Sequence, residues 1–327
     1  MEMFEKRPLV LLVGPTAVGK SRVAVLVARA LGTEVLTADS HQVYRGMDIG
    51  MDKPGLPDRQ GVPHRLIDLV EPDQPFNVGE YRRQALDEIE RLYREERLPL
   101  VVGGTGLYIR ALLRGLCAGP AADWSFRAQL GRDAREHGDE HLHRELQRVD
   151  PDSAGRLHPR DQAKIIRALE VHHLSGRPLS EAHREHAGAE PAFTPLLIGL
   201  TRDRDALYRR IEERVEAQLA AGLVQETQRL LARGYGRHLG SMKGLGYRQI
   251  AGYLAGEYSY DEAVRRLKRD TRHFAKRQMT WFRKEPVTWL AVGADETAEQ
   301  AAERILAMVR EFVSNLAGQS DRELIRS

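Results

Sequence analysis

The chain has one cysteine, Cys117, which excludes an internal disulfide and any cysteine-built zinc site and suits a reducing cytosol. It has no apolar run near the ~20 residues that a membrane-spanning helix needs. The five-residue apolar run after Met1 to Arg7 is too short for a signal-peptide core. A soluble, cytoplasmic protein with no membrane partner is expected. An excess of one charge is missing as well: 50 basic against 47 acidic residues leave +3, so net charge alone argues for no nucleic-acid partner. Neither an internal repeat nor a low-complexity tract is present. Eight of the twelve histidines fall between His137 and His186, yet their spacings match no zinc pattern and no metal site is expected there. Its 327 residues exceed the usual domain of about 100 to 200, so two lobes are expected.

What is present begins with Gly14-Pro15-Thr16-Ala17-Val18-Gly19-Lys20-Ser21, a complete G-x-x-x-x-G-K-S phosphate loop directly after the apolar run Leu9 to Val13. A buried strand here delivers glycines that let backbone N–H groups wrap phosphate oxygens, with a helix N-terminus behind them. Lys20 would neutralise phosphate charge, and the Ser21 hydroxyl would hold Mg²⁺. The loop does not say whose phosphate it binds.

Short apolar runs at Leu9 to Val13, Glu34 to Ala38, His64 to Leu69 and Leu98 to Val102 alternate with helical patterns, which predicts an α/β fold with a parallel sheet covered by helices. Asn77 reads as the N-cap of a helix through Glu96. From Cys117 to Pro195 strand signals vanish and charged helical segments take over, at Trp124 to His137, Leu142 to Val149 and Asp161 to Ser175. This reads as an all-helical insertion over 117–195, with the core lobe built from 1–116 and 196–327. Leu196 to Leu200 is the returning strand, Val287 to Val292 an edge strand and Glu299 to Val313 a closing helix.

Four constellations carry possible chemistry, each beside a plainer reading. Asp39 follows the second strand, where open α/β sheets line their ligand crevice, and reads as a general base or as an Asx turn. The run Val101-Val102-Gly103-Gly104-Thr105-Gly106 is a second glycine-rich turn, either a close backbone approach to ligand or a tight turn with a threonine cap. Arg210 and Arg214, four apart on one helix face, suit a pyrophosphate or a solvated face paired with Glu212 and Glu213. Between Arg265 and Lys284 stand nine basic residues and one acid, with Phe274, Trp281 and Phe282 interleaved. That mixture fits RNA phosphates and bases, or a helix whose aromatics pack on the core.

Seven segments, GPTAVGKS, DSHQVY (39–44), GMDIG (46–50), PHR (63–65), VVGGTGLY (101–108), RALEV (167–171) and GLGYR (244–248), closely resemble the tRNA dimethylallyltransferase (tRNA isopentenyltransferase) family, in the family's order over residues 8 to 284. The resemblance implies a P-loop NTPase-like core and transfer of the dimethylallyl group of dimethylallyl diphosphate to N6 of adenosine 37 in tRNAs reading codons that start with U. By similarity Asp39 is the base. Thr16, Lys20, Ser21 with Mg²⁺, Arg214 and the loop Gly14 to Ser21 hold the diphosphate. By the same similarity Asp39, Ser40, His41, Gln42, Thr105, Arg127, Ala163, Lys164, Ile165, Ile166, Arg167, Lys243, Gly244, Leu245, Gly246, Tyr247 and Arg248 line the tRNA side, and a monomer is expected. The chain departs from the family after GMDIG, where Met51-Asp52 replaces the usual Thr-Ala, and His41 sits at a variable position. The rival reading is a small-molecule kinase, which would need ATP and would leave the basic aromatic segment and GLGYR without a task.

Overall fold

The computed structural model describes residues 7–117, 119–186 and 192–324. These divide into two compact units, with boundaries at 113/114 and 191/192.

The first unit opens with β1 (Pro8–Val13), α1 (Lys20–Ala30), β2 (Val35–Ala38), α2 (Leu56–Arg59), β3 (His64–Arg65), α3 (Val78–Arg94), β4 (Leu100–Gly103) and α4 (Gly106–Arg114). The second unit is helical throughout: α5 (Trp124–His137), α6 (Asp139–Val149), α7 (Pro151–Ala154), α8 (Gln162–Ser175) and α9 (Leu179–His186). The first unit then resumes with β5 (Thr194–Thr201), α10 (Arg204–Ala220), α11 (Leu223–Ala232), a 3-10 turn at Ser241–Lys243, α12 (Tyr247–Leu254), α13 (Tyr260–Phe282), β6 (Thr288–Ala291) and α14 (Ala298–Leu324).

Six strands pair in parallel in the order β3-β2-β4-β1-β5-β6. Helices cover both faces, so β1, β2 and β4 are buried at every position rather than at alternate ones. Along β1, Val10 and Leu12 pack toward Val23, Val27, Ile305 and Val309 of α1 and α14. Leu9, Leu11 and Val13 pack the other way, toward Tyr81, Ile89, Ile109 and Leu112 of α3 and α4. Each such fully buried side chain contributes about 1.5–3 kcal/mol of apolar burial, which fixes β1 and the loop leaving it. A third cluster joins Met47 and Met51 to Val215, Leu223, Tyr247 and Leu267, seating the 47–51 segment on α10 to α13.

Two predicted elements differ in length. The strand expected over His64 to Leu69 stops at Arg65, because Leu66 (φ +63°) and Asp68 (φ +57°) turn left-handed and cannot continue a ladder. The closing helix runs to Leu324 rather than Val313. The Asn77 cap is as read from the sequence, its side chain accepting from Gly79 N and Glu80 N; Asp203 likewise caps α10, accepting from Asp205 N and Ala206 N. Among the described residues no helix is long and apolar enough to cross a membrane.

The second unit has its own core of Leu130, Leu142, Leu146, Ile165 and Ala168. Asp150 is buried there, accepting from Ser153 N at 3.0 Å and Ser180 N at 2.9 Å.

Candidate active site

The phosphate loop leaves β1 at the centre of the sheet, with β4 on one side and β5 on the other. Gly14 adopts φ +142°, and a Cβ there would lie 2.6 Å from the Leu200 carbonyl oxygen, so only glycine fits. Gly19 (φ +109°) caps α1 without a side-chain hydrogen bond, leaving the amides of the first turn to an anion. Lys20 Nζ donates to the carbonyls of Gly14 (2.9 Å) and Pro15 (2.8 Å). Burial and then Arg214 lower its pKa to about 8, against the opposing pull of Asp39 and Asp52.

Three arginines gather around this loop. Arg210 Nε donates to Ala17 O at 2.9 Å and Arg202 Nε to Val18 O at 3.1 Å. Arg214 Nη1 donates to Thr16 Oγ1 at 2.8 Å and pairs with Asp52 at 3.0 Å. Glu212 pairs with Arg272 rather than with Arg210 or Arg214, while Arg210 and Glu213 stay exposed. Gln278 of α13, almost fully buried, accepts from Thr16 N at 2.8 Å and donates to Gly104 O at 3.0 Å. It thereby ties the phosphate loop to the second glycine-rich turn. No motif marks Gln278 in the sequence; its only signal is its place between Phe274 and Trp281 on the same helix.

A cavity of about 930 Å³ opens in front of the loop, lined among others by Thr16, Lys20, Ser21, Asp39, Arg214 and Arg248. Asp39 follows β2, and its Oδ1 accepts from His41 N at 2.9 Å. The Asx turn is therefore real, and it also fixes the carboxylate on the cavity wall. Ser40 and Thr105 join the two loops: Thr105 Oγ1 accepts from Ser40 N at 3.0 Å and donates to Ser40 Oγ at 3.3 Å. His41, Gln42, Lys243, Gly244, Leu245 and Arg248 line the same cavity as Asp39.

Other expected site residues are placed elsewhere. Tyr247, read from sequence as a tRNA contact, is a core residue with no exposed surface, and its hydroxyl donates to Glu226 at 2.5 Å. Burial and the Glu226 charge hold that phenol well above its ordinary pKa. Gly246 is buried beside it and starts α12 at φ +90°, a position that needs glycine rather than one that meets RNA. Glu226 also receives the amides of Asp48, Ile49 and Gly50, so one buried carboxylate orders the GMDIG turn. In the helical unit Ile165 is fully buried in the core and Ile166 packs against it. Ala163 and Lys164 are exposed at the start of α8. Arg127 and Arg167 both bind the buried Glu170, Arg127 at 2.7 and 2.8 Å and Arg167 at 2.5 Å. Of the three aromatics of the basic segment, Phe282 is fully buried and Trp281 packs on the core, while Phe274 lines the cavity.

Among the described residues no group of three His, Cys, Asp or Glu side chains could hold a metal ion. An ion gripped by protein alone therefore does not fit this site. Mg²⁺ borne on phosphate oxygens and waters needs only one or two protein oxygens. Ser21, exposed at the start of α1 on the cavity wall, fits that requirement.

Fold and site together define a P-loop NTPase-like α/β protein whose cavity is lined by Lys20, Arg210, Arg214 and the Asp39 carboxylate. The IPP transferase family model matches residues 42–285, and the isopentenyl transferase model residues 7–68. A tRNA dimethylallyltransferase of Pelotomaculum thermopropionicum is 49% identical over 303 residues, covering 92% of this chain and 96% of the relative. One of Symbiobacterium thermophilum is 49% identical over 308 residues, covering 94% and 96%. The solved full-length tRNA isopentenylpyrophosphate transferase of Bacillus halodurans is 36% identical, with a TM-score of 0.72 over 97% of this chain and 100% of that one. A eukaryotic dimethylallyltransferase acting on tRNA, 24% identical with a TM-score of 0.81 over 94% of this chain and 80% of that one, shares the fold. The chain belongs to the IPP transferase family, and is thus a prenyltransferase.

Proposed function

We propose that this enzyme transfers the dimethylallyl group of dimethylallyl diphosphate to N6 of adenosine 37, beside the anticodon of tRNAs that read codons starting with U. The observation that carries the reading is one cavity lined by Asp39 together with Thr16 and Lys20 of the phosphate loop and Arg214.

An exocyclic adenine amine is a weak nucleophile because its lone pair is delocalised into the ring. As N6 attacks C1 of the allyl group, Asp39 takes the N6 proton, the C1–O bond breaks and diphosphate leaves. Charge grows on the departing diphosphate, so donors aimed at it lower the barrier. Those donors are the amides of Gly14 to Ser21, with Lys20, Thr16 and Arg214. Mg²⁺ on the diphosphate beside Ser21 would supply further charge neutralisation. The adenine must leave its stack to enter the cavity, which means base flipping. His41, Gln42, Lys243, Gly244, Leu245 and Arg248 line that cavity, Ser40 and Thr105 brace the loop that carries Asp39, and Arg127, Ala163, Lys164 and Arg167 offer the helical unit's contacts to the anticodon stem-loop.

The test supplies Mg²⁺ and unmodified tRNA with either dimethylallyl diphosphate or ATP, then digests the tRNA and weighs its nucleosides. Prenylated adenosine formed only with the prenyl diphosphate supports the reading. ATP turnover on a small alcohol or nucleotide, with no modified adenosine, replaces it with the kinase.

A further inference from the structure

Arg214 reaches two partners at once, the Thr16 hydroxyl at 2.8 Å and the Asp52 carboxylate at 3.0 Å. Both members of the ion pair stand on the cavity wall, with 25% of the Arg214 side chain and 47% of the Asp52 side chain exposed. Asp52 belongs to a firmly held turn. Its own backbone is left-handed (φ +50°), its N–H donates to Ile49 O, and its carbonyl accepts from Gln42 Nε2. Lys53, with only 4% of its side chain exposed, binds Asp48, Asp68 and the Tyr44 carbonyl. On the other flank Glu226 holds the amides of Ile49 and Gly50. A turn pinned on both flanks cannot carry its carboxylate away when another anion arrives; only the side chain can rotate. The carboxylate also acts on Lys20, whose positive charge both Asp39 and Asp52 favour.

We propose that Asp52 is a resident counter-anion of the diphosphate site, competing with diphosphate for Arg214 and so limiting how tightly the site holds both the prenyl donor and the released product. The proposal rests on reading Arg214 as a diphosphate ligand. A diphosphate carries several negative charges and paired oxygens that suit a guanidinium fork, so it displaces one carboxylate where a singly charged ligand would not. The displaced carboxylate stays within a few ångströms and repels the product.

The test is calorimetric binding of inorganic pyrophosphate to the full chain, with and without Mg²⁺, for the wild type, Asp52→Asn, Arg214→Ala and the double variant. Asparagine keeps the size of the side chain, removes its charge and tolerates positive φ. Asp52→Asn is expected to bind pyrophosphate about fivefold more tightly at low salt, the scale of one part-exposed ion pair. The gap should close as salt screens the charges, and it should shrink in the Arg214→Ala background, where only the direct repulsion is left. Equal or weaker binding by Asp52→Asn overturns the proposal, and weakening confined to Mg²⁺ assigns the carboxylate to the cation instead. Binding by Arg214→Ala as tight as wild type refutes the diphosphate reading of Arg214 itself and removes the proposal with it, an outcome read without reference to Asp52.

Discussion

At the residue scale Asp39 shows why a turn and a base are not rival roles. The Asx turn uses Oδ1 to hold His41 N, and the same bond fixes where the carboxylate stands in the cavity. Asparagine at this position keeps an oxygen for the turn and loses the basicity. Asp39→Asn should therefore leave tRNA affinity within about twofold while single-turnover prenyl transfer falls about a hundredfold or more; undiminished transfer removes Asp39 as the base. Lys20 gives the second residue-scale prediction. Burial and Arg214 hold its pKa near 8, below the 10.5 of a free lysine, so the free site gives up this proton early. A bound diphosphate favours the charged form and raises that pKa, so binding takes up a proton at pH above about 8. Pyrophosphate affinity should be steady below pH 8 and fall above it, by at most about tenfold per unit. Lys20→Arg stays charged, and its affinity relative to wild type should rise between pH 7 and 9.5. A constant ratio over that range would refute the linkage. The same depression costs folding stability below pH 8, a cost that fades as pH rises from 8 to 10.5.

Elements are placed here by a few buried polar groups with distant partners. Glu34, at the start of β2 and 5% exposed, accepts from Arg65 at 2.8 Å, Arg91 at 2.7 Å and Arg97 at 2.9 Å, joining β2, β3 and the end of α3. Burial pushes its carboxyl up, yet the three guanidinium groups outweigh burial and hold it at about 2. The folded value lies below the unfolded 4.5, so this stabilisation is complete above pH 4.5 and is lost as pH falls toward 2. Glu34→Gln should cost roughly 2–3 kcal/mol in urea melts at pH 7, and the deficit should shrink steadily between pH 4.5 and 2. A deficit unchanged by acid would assign the loss to packing alone. None of these pairings was legible in the sequence, because Glu34 meets residues up to 63 positions away. Local signals were legible where the physics is local: the phosphate loop, the Asn77 cap, and the apolar runs of β1, β4 and β5. Tyr247 misled for the complementary reason. A tyrosine in a glycine-rich motif looks like a ligand contact until its partner, Glu226, is found 21 residues upstream.

Over the whole molecule the near balance of charge conceals an uneven distribution. Five of the nine basic side chains between Arg265 and Lys284 pair with acids: Arg265 and Arg266 with Glu262, Lys268 with Glu216, Arg269 with Asp270 and Arg272 with Glu212. Sequence counting could not separate these from the rest, since three of the acids lie outside the run or on another helix. The remaining four include Lys276 and Arg283, both exposed and seven residues apart, two turns along one face of α13 and its cap. If that face meets the tRNA backbone, each contact releases counterions and steepens the salt dependence of binding. Lys276→Gln with Arg283→Gln should weaken binding of unmodified tRNA at low salt. It should also make the slope of log affinity against log salt shallower by about 0.7–0.9 per lost contact, while pyrophosphate affinity stays unchanged. Fluorescence titrations at several salt concentrations measure both quantities. An unaltered slope would move the RNA-binding face off this side of α13, and a loss of pyrophosphate binding would show that the two residues support the phosphate loop instead.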